Sequence, residues 1–119
     1  MNPTILQAEQ AWIQALQHLR FDKARELRAK YNLDIRRLQH IYFQQIQKLW
    51  YQLLITRKLQ VAINLRQETQ LQASLLKVGI TGYLQNYITN INQAINKEPD
   101  KNKKNMMLVF RHNLEKEIL

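Results

Sequence analysis

Apolar and aromatic residues recur at spacings of three, four and four from Ala24 through Leu27, Tyr31, Ile35, Leu38, Tyr42, Ile46 and Leu49 to Leu53. The stretch that holds them, Asp22 to Lys58, contains neither Gly nor Pro. An eleven-residue period of this kind corresponds to about 3.67 residues per turn, three turns of helix. It predicts one amphipathic helix from residue 22 to about 57 with a single apolar seam. Asp22 is the expected cap of that helix, and Asn32-Leu33 is its only weak point before residue 56.

Around it the pattern predicts shorter helices. Asn2-Pro3 reads as a cap followed by proline at the first helical position, opening a helix to about Leu19 with Ile5, Ala8 or Glu9, Trp12, Leu16 and Leu19 facing inward. Arg20 and Phe21 are the expected turn. Past Leu53 the seam loses register, because Arg57, Gln60 and Asn64 fall where apolar residues are due. A bend or a new helix is therefore expected between about 57 and 69, with the polar run from Asn64 to Gln70 as the preferred loop. Gly79 fits a helix end and Gly82 a further turn. Tyr83 to Asn96 is a clear amphipathic helix, the proline-containing run from Lys97 to Asn105 a loop, and Asn105 to Ile118 a last helix. The expected fold is thus all-α, a bundle of about four to five helices in one domain, 1–119, around one long basic helix, with no internal repeat.

Composition agrees with helices: Gly and Pro number two each, while Leu, Ile, Gln, Lys and Arg dominate. The absence of cysteine removes disulfides, thiolate metal sites and a Cys nucleophile, and fits a reducing cytoplasmic setting. No apolar run suits a membrane span, and the N-terminus lacks the layout of an export signal. The three histidines, His18, His40 and His112, lie far apart without metal-ligand spacing, and there is no glycine-rich phosphate loop. An enzyme, a cofactor and a small-molecule substrate are not expected.

Charge changes the picture more. Ten Lys and Arg from Arg20 to Lys58 against Asp22, Glu26 and Asp34 give +7 of the chain's +9. Such a field attracts polyanions. At 100° per residue the apolar seam occupies roughly one third of the long helix, and Arg25, Arg36, Lys58, Arg37, Lys30 and Lys48 lie on the other side with His40. Arg28 and Arg57 flank the seam. No acid occurs between Asp34 and Glu68, so the face lacks the Glu–Lys pairs of an ordinary solvated helix. Arginine forks suit bidentate phosphate contacts, which are insensitive to base sequence and sensitive to salt. Tyr51 projects onto the basic side as a candidate base-stacking platform, with packing against another helix or subunit as the other reading, and Lys101, Lys103, Lys104 and Arg111 form a second basic cluster.

A cysteine-free, basic, all-helical chain of this size with a long arginine-rich helix resembles the small subunit of multisubunit CRISPR effector complexes, Cascade-type or related. The resemblance rests on size, charge and helix content and covers the whole chain. It implies a noncatalytic subunit, present in several copies beside the guide RNA, that binds nucleic-acid phosphates, steadies the guide–target hybrid and helps hold displaced DNA. Its partners would be RNA or DNA, met by the long basic helix, and other subunits and copies of itself, met by the uncharged first helix. The other reading is a helical adaptor whose basic face meets an acidic protein surface.

Overall fold

The computed structural model describes residues 3–119 and contains helices and turns but no strand among them. The expected cap at Asn2 lies outside the described residues. Among the described residues seven helices follow one another, more than the sequence pattern suggests: α1 Pro3–Gln17, α2 Phe21–Lys30, α3 Ile35–Ile55, α4 Leu59–Thr69, α5 Ala73–Leu76, α6 Thr81–Lys97 and α7 Lys101–Ile118. They fall into two compact units, residues 1–72 and 73–119.

The expected helix over 22–57 is two helices. Asn32 adopts a left-handed conformation, φ +49°, and ends α2. Its N–H donates to the Ala29 carbonyl at 3.3 Å and that of Leu33 to the Arg28 carbonyl at 3.0 Å, the paired bonds of a Schellman turn. Leu33 is buried beneath the turn, and Asp34 then caps α3 by accepting from the Arg36 N–H at 3.0 Å. The apolar rhythm runs through the break because Leu27 and Tyr31 before the turn and Ile35 and Leu38 after it keep spacings of four and three. Asp22, the expected cap, lies inside the first turn of α2, where its charge still suits the helix dipole.

The same device recurs. Leu19 (φ +60°) and Arg57 (φ +62°) end α1 and α3, each with the paired Schellman bonds. Leu19 and Arg57 lie 38 positions apart, as do the left-handed Asn32 and Gln70 (φ +57°). Buried side chains keep that separation: Trp12 and Trp50, Leu16 and Leu54, Ala24 and Ala62, Leu33 and Leu71. The first unit therefore contains an internal repeat, contrary to the expectation from sequence. Hairpin α1–α2 and hairpin α3–α4 stack with α1 on α3 and α2 on α4. Helix pairs stacked in this way bury on each neighbour a face that neither hides alone.

The run from Asn64 to Gln70 is helix, not loop. It forms the second half of α4, in which Leu65, Glu68 and Thr69 are all buried. The Thr69 hydroxyl donates to the Leu65 carbonyl at 2.9 Å, and the Gln39 amide donates to the Thr69 carbonyl at 2.8 Å, tying α4 to α3. The chain turns at Thr56–Lys58 and again at Gln70–Gln72.

In the second unit, Gly79 takes the expected left-handed conformation (φ +83°), whereas Gly82 lies within the first turn of α6. The expected loop at 97–105 shrinks to Glu98–Asp100, because Asp100 caps α7 by accepting from the N–H groups of Asn102 and Lys103. Helices α6 and α7 pack together, with Leu84, Ile91 and Ile95 of the one and Leu114 and Ile118 of the other buried.

Candidate nucleic-acid interface

Helix α3 turns Leu38, Ile46, Trp50, Leu53 and Leu54 inward. The opposite side must then meet solvent, and the residues there step by four: Arg36, His40, Gln44, Lys48 and Gln52 are all exposed. At about 1.5 Å per residue this row is roughly 24 Å long. No acidic residue interrupts it, since α3 has none. Arg57 and Lys58 follow in the exposed turn at the C-terminal end of α3, where cations also offset the helix dipole. Lys30, on α2, is exposed with its Nζ 5.3 Å from the centroid of the Tyr31 ring, a cation–π contact. Tyr51 is half-buried.

Two arginines of the expected face are engaged elsewhere. Arg28 grips Glu68 with both arms of its fork, Nε to Oε2 at 2.9 Å and Nη2 to Oε1 at 3.2 Å. Arg37 holds Glu9 in the same way, at 2.8 and 3.4 Å. Both carboxylates are buried, Glu9 2% and Glu68 5% exposed. A carboxylate at such a depth requires a partner, and the bidentate fork supplies one. Glu68 also accepts from the Trp12 indole N–H at 3.1 Å, and the Arg25 Nε stands 3.9 Å away. The hydrogen bond to Glu68, opposed by burial, raises the Arg28 pKa above its ordinary value. Burial, with the Glu9 charge adding and Arg37 subtracting, raises that of the Tyr42 hydroxyl.

The carboxylates thus sit where the four helices meet: Glu9 and Trp12 from α1, Arg28 from α2, Arg37 and Tyr42 from α3, Glu68 from α4. Arg25 remains largely exposed, 64% of its side chain, with Asp22 at 3.4 Å. Glu9 was visible in sequence only as an inward position, and Glu68 had no signal at all within its polar run.

With these two acids buried, the exposed acids of the first unit are Asp22, Glu26 and Asp34. Its eleven Lys and Arg against five Asp and Glu leave +6. The second basic cluster belongs to the other unit: Lys101 and Lys103 are exposed and Lys104 half-buried in the first turn of α7, and Arg111 donates to the Asn92 side-chain oxygen at 2.7 Å. The chain matches no protein family, no curated protein and no solved structure. Among the described residues no helix is long and apolar enough to cross a membrane.

Proposed function

We propose that this chain is a noncatalytic nucleic-acid-binding subunit of a ribonucleoprotein assembly, of the kind formed by CRISPR effector complexes, acting in the cytoplasm. The observation that carries the reading is the exposed, acid-free row on α3, Arg36, His40 and Lys48, continued by Arg57 and Lys58. Cations spaced along one side of a helix meet successive phosphates without reading bases. The exposed amides of Gln44 and Gln52 lie between them and suit sugar and phosphate oxygens. Arg28 and Arg37 support this face from behind by fixing α2 and α3 to the buried carboxylates. A duplex guide–target hybrid or a displaced single strand both present such a backbone.

Helix α1 supplies the contact to protein neighbours in this reading. It carries no Lys or Arg, its one acid is buried, and Leu6, Gln7, Gln10, Gln14 and Gln17 are exposed. The stacked hairpins also favour a second reading, a helical adaptor that meets an acidic protein surface, because such stacks offer extended surfaces to protein partners. Capture from the native host with and without nuclease separates the two. Recovery of RNA or DNA, with partners lost on nuclease treatment, is expected; a partner retained after nuclease with no nucleic acid recovered would replace the first reading with the second.

A further inference from the structure

A half-open cleft of about 700 Å³ lies in the first unit between the α1–α2 turn and the outer side of α4. Its floor is the Arg28–Glu68 pair, with the Trp12 indole behind it. Glu68 is already satisfied there by three hydrogen bonds, so the remaining charge of the cleft is set by its rim. That rim carries Arg20, Lys23 and Arg25 against Asp22, a residual +2. Arg20 and Lys23 are exposed, and Arg25 is held only by contacts of 3.4 and 3.9 Å, leaving it free to turn toward a stronger partner. The half-buried Phe21 and the amide residues Asn64 and Gln67 also line the cleft.

We propose that this cleft binds a nucleoside 5′-phosphate, either as a free nucleotide or as the phosphorylated end of a strand. A phosphate monoester carries close to two negative charges near neutral pH, which matches the residual charge of the rim, whereas a backbone diester or a carboxylate carries one. The volume is that of a small-molecule site and far exceeds a bare phosphate. An aromatic ring and two amides in the lining suit a base, which stacks on the one and hydrogen-bonds to the others along its edge. The start of α2, which no side chain caps, adds backbone donors to the same cleft. This site is separate from the α3 row: it recognises an end, where the row follows a backbone.

Titration calorimetry with adenosine 5′-monophosphate, adenosine and inorganic phosphate, and with one oligonucleotide bearing a 5′-phosphate or a 5′-hydroxyl, tests the assignment. We expect a preference of about tenfold or more for the phosphorylated form in at least one of the two pairs, as charge-assisted contacts to the added group require. The pair that shows it identifies the source. The variant Arg20→Gln/Lys23→Gln changes two exposed side chains, should melt as the parent does, and should erase the preference. Arg36→Gln/Lys48→Gln should keep it, so failure of backbone binding and failure of this site remain distinguishable. Equal affinity for phosphorylated and unphosphorylated forms in both pairs would overturn the proposal. Inorganic phosphate binding as tightly as the nucleotide would do the same, as would a preference that survives in Arg20→Gln/Lys23→Gln.

Discussion

Replacing Glu68 by Gln keeps the shape of the side chain and removes the charge that Arg28 grips with both arms. Breaking a buried ion pair by losing one partner costs about 3–5 kcal/mol. The Arg28 side chain is 27% exposed and regains part of its hydration, so the lower end applies, about 3 kcal/mol. The amide oxygen of Gln can still accept from the Trp12 indole. Glu68→Ala strands that N–H as well, and an unmet buried donor adds at least about 1 kcal/mol. Equilibrium urea unfolding, followed by helical circular dichroism and tryptophan fluorescence, reads both. In a unit of this size 3 kcal/mol corresponds to a fall in Tm of roughly 12–24 °C. Replacing the whole pair, Arg28→Met/Glu68→Met, leaves no orphaned charge and should cost about 2 kcal/mol or less, well below the sum of the single changes. A cost for Glu68→Gln under about 1 kcal/mol, or strict additivity in the double variant, would refute the view that this pair holds the helices together.

Arg57 occupies a left-handed conformation that costs a non-glycine residue about 1 kcal/mol, so Arg57→Gly should raise stability by about that amount while weakening nucleic-acid binding. Chemical denaturation and anisotropy on one preparation check both signs; weakened stability would contradict the strain argument. Arg37→Glu should fail differently from Arg36→Glu: the first sets a second carboxylate beside buried Glu9 and should lower Tm steeply, the second lies on the surface and should leave Tm within a few degrees while reducing affinity. The Tyr42 hydroxyl has its pKa raised in the fold, so the unfolded chain gives up that proton first as pH climbs past the ordinary tyrosine value of about 10. Stability from this group is therefore present below that pH and lost above it, and Tyr42→Phe should show a smaller drop in Tm between pH 8 and the alkaline range than the parent does.

Helix content and most of the core were legible because apolar spacing reports burial directly. Trp12, Leu38, Ile46, Leu53, Leu84, Ile91 and Leu114 are buried where a helical period places them. Asn32-Leu33 was legible as a weak point, but the break itself was masked because Leu27, Tyr31, Ile35 and Leu38 keep helical spacing across the turn. The 38-residue repeat was legible in the core, where Trp12 and Trp50, Leu16 and Leu54, Ala24 and Ala62, and Leu33 and Leu71 are the same residue, but not at the turns, where Leu19 pairs with Arg57 and Asn32 with Gln70, alike in φ and unlike in side chain. The polar end of α4 misled for a related reason, since Glu68 is tolerated inside only when Arg28 and Trp12, 40 and 56 positions away, arrive to satisfy it. At the interface, sequence located the one-signed charge but could not tell a cation facing water from one facing a buried carboxylate. Arg36 and Arg37 are neighbours in sequence and have opposite fates.

The most direct test is the salt dependence of binding to a single-stranded oligonucleotide, measured by anisotropy between low and physiological ionic strength. If Arg36, Lys48, Arg57 and Lys58 each neutralise one phosphate, log K should fall with log salt at a slope near −3, from about 0.7 per phosphate. Arg36→Gln/Lys48→Gln should halve that slope with helicity unchanged. An affinity indifferent to salt, or a slope that the double variant leaves intact, would contradict a phosphate-binding face on α3.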